Sequence, residues 1–128
     1  MKASVLVDSY GWIEYFAGGS LASRYAKYIE NANNSEYVTP SIILYEVYTK
    51  IKLARGEDAA LKALAYIIEH TMIVSIDKKI AMNAAEISLK TKLGMADAIV
   101  KAVAEEENAK LITSDEHFKG MQDVILIK

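Results

Sequence analysis

Short apolar runs alternate along this chain with longer stretches in which apolar residues recur every three or four positions. The run at 4–7 reads as a short buried strand leading directly into Asp8. Residues 9–16 read as a helix stopped by the breaker pair Gly18-Gly19, and 20–32 as a second helix ending in a polar run, Asn31 to Ser35. Residues 37–39 form a brief strand. Pro40 suits the first turn of the next helix, which extends to Arg55 before Gly56. Further helices are predicted over 58–69, 78–91 and 96–107, and further strands over 72–76, 111–113 and 124–127. Alternation of this kind implies βαβ units, an α/β fold with a mostly parallel sheet and helices on both of its faces.

With 128 residues, the chain has the size of a single domain spanning 1–128. It can bury roughly two-thirds of its unfolded surface and needs no covalent staple. It has no cysteine, which removes disulfides, thiolate zinc sites and thiol nucleophiles together. The apolar run after Met1 is too short for a signal peptide, and no later run reaches the ~20 residues of a membrane span. The expected location is the cytoplasm, with no membrane partner. A net charge of −2 does not advertise nucleic-acid binding, although an acid cluster that binds metal hides basic surface from a net count.

Four acids carry the candidate chemistry. Asp8 and Asp115 each follow a predicted strand, and ligand sites in open parallel sheets gather at the carboxyl ends of strands where strand order reverses. Each could equally serve as a helix N-cap, and the two roles are compatible. Glu46 projects between Ile42 and Ile43 at about 100° per residue, inside the apolar arc of its helix. A carboxylate there needs compensation, either from an i,i+4 pair with Lys50 or from a metal ion. Asp97 opens a nearly all-apolar helix, where the helix dipole favours an ionised acid. Only oxygen donors are on offer, which favours Mg²⁺ or Mn²⁺ over zinc, and His70 and His117 lack a zinc-ligand spacing. Such carboxylate clusters hold ions that cut phosphodiesters by activating water and stabilising the leaving oxygen.

These motifs resemble the PIN-domain family, most closely the VapC-type toxins of prokaryotic toxin–antitoxin pairs. The resemblance is carried by Val7-Asp8-Ser9, by Glu46 in Ile43-Leu44-Tyr45-Glu46-Val47, by Asp97 in Met95-Ala96-Asp97-Ala98-Ile99, and by Thr113-Ser114-Asp115-Glu116-His117-Phe118. It implies a three-layer α/β/α sandwich and Mg²⁺- or Mn²⁺-dependent cleavage of RNA by the toxin of a type II pair. It also implies a homodimer inhibited by a small antitoxin that covers the active site. Asp8, Glu46, Asp97 and Asp115 would be the metal-binding and catalytic acids, with Ser9 and Thr113 as hydroxyl neighbours. Many family members have a further acid just before the phenylalanine, where this chain has His117, and that departure implies a single ion in the resting protein.

Lys50, Lys52, Arg55, Lys78, Lys79, Lys90 and Lys92 are candidates to hold an RNA backbone, against a reading as ordinary solvated surface. Tyr10, Trp12, Tyr15 and Phe16 are core candidates that could in part line an antitoxin groove or stack on a base. A signalling receiver domain has a similar length but needs an acid pair after the first strand, which is missing here. A catalytically inert PIN-like module, or an RNA-processing nuclease without an antitoxin, are the other readings. An unused cluster of like charges would be destabilising, which argues against the inert one.

Overall fold

The computed structural model describes residues 4–128; the first three residues of the amino-terminal run lie outside the described residues. Strands β1 (Ser4–Val7), β2 (Val38–Pro40), β3 (Met72–Val74), β4 (Ala109–Thr113) and β5 (Val124–Leu126) are all paired in parallel. One hydrogen-bonded set runs β1-β4-β5 and another β2-β3. A single parallel bridge, Val5 to Tyr37, joins them, and Val5 N–H donates to the Glu36 carbonyl at 2.7 Å. Across the molecule the order is therefore β3-β2-β1-β4-β5. The chain leaves β1 toward β2 on one side and returns as β4 on the other, so strand order reverses between β1 and β4.

Among the described residues six α-helices fill the connections: α1 (Ser9–Ala17), α2 (Ala22–Ile29), α3 (Ser41–Arg55), α4 (Glu57–His70), α5 (Lys78–Thr91) and α6 (Met95–Glu106). They pack as the pairs α1–α2, α3–α4 and α5–α6, giving the three-layer α/β/α sandwich expected of the sequence. The apolar periodicity explains which faces meet the sheet. In α3 the fully buried positions are Ile43, Val47 and Ile51, spaced by four, and in α4 they are Ala60, Ala63 and Ile67. Leu6, Val7, Val38, Leu111 and Ile112 are among the buried apolar strand positions.

Two local features fix the start of α1 beside the sheet. The Trp12 indole, fully buried, donates to the Val7 carbonyl at the end of β1 at 3.1 Å. At Gly11 a Cβ would stand 2.6 Å from both the Tyr25 ring and Val7, so only glycine lets α1 approach α2 and β1 this closely.

Element limits differ from the sequence expectation mainly at ends. Pro40 closes β2 and flanks α3 rather than entering its first turn. The second helix is shorter than 20–32 at both ends, running Ala22–Ile29; at its start Leu21 N–H donates to the Glu14 carboxylate instead of continuing a helix from 20. β3 stops at Val74, two residues short of the expected limit, and β4 begins two residues earlier, at Ala109.

Candidate metal centre

The carboxyl ends of β1 and β4 lie side by side, and the acids that follow them meet there. Asp8 directly follows β1 and caps α1, with its Oδ1 accepting the Ser9 N–H at 2.8 Å. Its Oδ2 accepts the Thr113 hydroxyl at 2.9 Å, from the last residue of β4. Asp115 follows two residues later. Its N–H donates to that same Thr113 hydroxyl oxygen at 3.0 Å, and its Oδ1 accepts the His117 N–H at 2.9 Å, capping the 3₁₀ turn Glu116–Phe118. The capping reading therefore holds for both Asp8 and Asp115, and the Thr113 hydroxyl links the two residues.

Asp97 stands in the first turn of α6, three residues into the helix after the extended Gly94. Glu46 projects from the middle of α3 into an open cleft of about 650 Å³. Glu46, Asp97 and Asp115 line this cleft together with Ser9, Tyr10 and Lys50, while Asp8 is almost fully buried behind them. Among the described residues, Glu46 and Lys50 form no direct ion pair; Lys50 acts on Glu46 only through its charge.

The electrostatics follow from crowding acids where water is scarce. Burial pushes the Asp8 carboxyl up to about 7; the Thr113 hydroxyl and Ser9 amide oppose this, and the charges of Asp97 and Glu46 add to it. Asp97 is pushed up to about 6 by burial first and then by the charge and hydrogen bonding of Asp115, with Glu46 contributing and His117 opposing. Glu46 is raised by burial, against the Ser9 hydroxyl and Lys50. Burial, followed by the charges of Asp115, Asp8, Asp97 and Glu46, also raises the Tyr10 hydroxyl at the rim. Among the described residues no lysine or arginine is ion-paired to any of the four acids. Among the described residues the opposing influences come from Lys50, which lowers Glu46, and from His117, which lowers Asp97.

One site residue was legible only as a missing acid. His117 places its Nδ1 2.8 Å from Asp115 Oδ1 and 3.9 Å from Asp97 Oδ2. One ligand atom each from Asp97, Asp115 and His117 falls within 4.8 Å of the other two. The signal available in the sequence was an Asx turn, in which an aspartate carboxylate bonds the N–H two residues on and so folds the next side chains back toward itself. The basic candidates mostly lie elsewhere. Lys50 lines the cleft, whereas Lys52 pairs with Glu57 at 3.3 Å and Lys79 with Glu106 at 3.1 Å. Arg55 is spent on the Ala17 carbonyl, and Lys90 lines a separate pocket. Of the early aromatics, Trp12 is core, Tyr15 and Phe16 pack against it, and Tyr10 faces the cleft.

Thr113 is the hinge of this arrangement, since one buried hydroxyl donates to Asp8 and accepts from Asp115. Thr113→Val keeps the shape but strands the buried Asp8 carboxyl and the part-buried Asp115 N–H, and should destabilise the fold by about 1–3 kcal/mol. Thr113→Ser should restore most of that loss. Urea unfolding of the three proteins checks both statements.

A family model described as PIN domain matches residues 5–124. No curated protein shows significant sequence similarity to the chain. Among solved structures, a toxin–antitoxin complex from Klebsiella pneumoniae is 25% identical with a TM-score of 0.80, over 98% of this chain and 98% of that one. Mycobacterium tuberculosis VapC20, a sarcin–ricin-loop-cleaving toxin, is 17% identical over 93% of this chain and 95% of its own, with a TM-score of 0.77. VapBC2 from Rickettsia felis, bound to a promoter DNA fragment, is 16% identical over 95% and 96%, with a TM-score of 0.70.

Proposed function

This chain belongs to the PIN-domain family, and on that premise we propose that it is a metal-dependent endoribonuclease, the toxin of a type II toxin–antitoxin pair. The observation that carries the proposal is the gathering of Glu46, Asp97 and Asp115 around one cleft, with the buried Asp8 coupled by charge to Asp97 and Glu46 and, among the described residues, no lysine or arginine ion-paired to them. Two of these acids are pushed toward neutrality by burial and by one another, and a divalent cation is the partner that would keep them ionised. The all-oxygen set of the four acids fits Mg²⁺ or Mn²⁺.

In the proposed mechanism Asp8, Glu46, Asp97 and Asp115 hold the ion, and Thr113 and Ser9 orient the Asp8 carboxylate. When bound, the ion supplies water activation and charge neutralisation at the scissile phosphate. Lys50, at the cleft wall, supplies a point charge for a neighbouring phosphate. Tyr10, half-exposed beside the acids, offers a ring on which a base can stack. A nucleolytic toxin role draws support from the naming of VapC20 as a sarcin–ricin-loop-cleaving toxin.

Partners are proposed on surface grounds. Ile13, Tyr45 and Leu53 give the cleft an apolar wall, with Leu53 86% exposed, and a small antitoxin segment could cover it. Met82, Leu89 and Met95 are exposed on α5 and α6, which suits a homodimer contact. No helix is long and apolar enough to cross a membrane, and action in the cytoplasm is part of the proposal.

The test is cleavage of single-stranded RNA by the purified chain with Mg²⁺, Mn²⁺ or EDTA. Activity is expected with either ion and is expected to vanish in EDTA. Equal activity in EDTA would overturn the metal mechanism, and no cleavage under any ion would favour the inert binding module.

A further inference from the structure

We infer that His117 is a direct ligand of the divalent ion through Nδ1, and that this nitrogen shifts the site's preference from Mg²⁺ toward Mn²⁺. The inference rests on the metal-dependent function proposed for the four acids and adds a fifth donor to them. His117 is 78% exposed, so its imidazole could point into water, yet Nδ1 is turned inward to 2.8 Å from Asp115 Oδ1 and 3.9 Å from Asp97 Oδ2.

The turn itself dictates this direction. Asp115 accepts the His117 N–H with the same Oδ1 that faces the ring, and the next residue, Phe118, is fully buried and anchors the turn. The imidazole is therefore presented to the acids by backbone geometry.

The donor separations suit one ion. Around an octahedral ion of Mg²⁺ or Mn²⁺ size, neighbouring ligand atoms stand about 3 Å apart and opposite ones about 4 Å. The spacings at Nδ1 fall across that range, and all three ligand atoms lie within 4.8 Å of one another. A side chain acting only as a counter-charge to Asp115 would share the 2.8 Å contact but would be displaced once a cation arrived.

Chemistry gives the consequence. Mg²⁺ holds oxygen ligands and dehydrates reluctantly, whereas the later first-row ions accept imidazole increasingly well. An aspartate at position 117 would return the site to oxygen donors alone. His117 thus turns from a missing acid into a selectivity residue.

The test is electron paramagnetic resonance of Mn²⁺ bound to the full, tag-free chain. Pulsed measurements detect ¹⁴N of a coordinated imidazole, and titration gives the affinity. Wild type is expected to show the ¹⁴N signal. His117→Ala should lose it and bind Mn²⁺ about tenfold more weakly or worse, the scale on which a disturbed ligand shell loses affinity. His117→Asp should also lose the signal while competing Mg²⁺ gains relative to Mn²⁺. Circular dichroism confirms folding of both variants.

Mn²⁺ binding that Asp97→Asn weakens, but with no ¹⁴N signal or one that survives in His117→Ala, would overturn the inference and leave the metal centre standing. Absence of Mn²⁺ binding in wild type would overturn both.

Discussion

Replacing Asp97 by asparagine is expected to reduce RNA cleavage by about a thousandfold or more, a loss matching the several kcal/mol that a bound metal ion contributes to a phosphoryl transition state. The fold should survive. Asp97 sits in the first turn of α6, where asparagine is tolerated, and its shape is unchanged by the substitution. What disappears is a carboxylate that burial and the neighbouring acids already push up to about 6. Near pH 7.5 that group is ionised against the preference of its surroundings, so the metal-free variant should be as stable as wild type or more stable by about 1 kcal/mol. Lower activity with equal or higher stability is the signature of a group kept for function. Cleavage rates in Mg²⁺ and thermal unfolding in EDTA, measured on the same preparation, check the pair of outcomes. Activity within tenfold of wild type would remove Asp97 from the mechanism.

The acids were legible in the sequence because their surroundings were. A strand followed at once, or after one residue, by an aspartate places that carboxylate at a sheet end, which is why Asp8 and Asp115 could be assigned to the strand carboxyl ends. Asp97 was marked by the apolar helix behind it, five of whose residues are buried. Glu46 was legible in part. Its projection inside the apolar arc correctly indicated desolvation, but the core-facing line of α3 is Ile43, Val47 and Ile51, and Glu46 looks into the cleft beside that line rather than into the core.

The rest depended on tertiary placement. Whether a lysine faces the cleft or a helix neighbour is decided by which helices pair, and the α3–α4 contact takes Lys52 to Glu57 while Lys50, two residues away, faces the site. His117 was hidden for a related reason, since a 3₁₀ turn carries the chain from Asp115 to it and only the turn's direction brings the ring back. Thr113 was assigned as a hydroxyl neighbour by resemblance, and its role as a bridge between two carboxylates needed the pairing of β1 with β4 in register Val7 to Ile112.

Without divalent ions, the protein is expected to be more stable near pH 5 than near pH 8, the reverse of an ordinary acid-sensitive protein. Burial and mutual repulsion set the sign. Asp8 is raised from 3.8 to about 7 and Asp97 from 3.8 to about 6. Between about pH 4 and 7 the folded chain therefore retains protons that the unfolded chain has released, and stability falls as pH rises through that window. Every tenfold by which folding weakens a carboxyl's acidity corresponds to about 1.4 kcal/mol, so the almost fully buried Asp8 alone is expected to cost on the order of a few kcal/mol above pH 7. A divalent ion binds the folded, ionised site and should recover about 2.7 kcal/mol at a hundred times its dissociation constant, most visibly at pH 8. Asp8→Asn removes the largest of these penalties while retaining an acceptor for the Ser9 N–H, and the Thr113 hydroxyl can rotate to accept from the new amide. Denaturant unfolding at pH 5 and pH 8, in EDTA and in Mn²⁺, should show a steep pH dependence and a strong metal effect in wild type, and weak versions of both in Asp8→Asn. If the two proteins instead gained stability equally from pH 5 to pH 8 in EDTA, the buried carboxylates would not be the groups that the metal relieves.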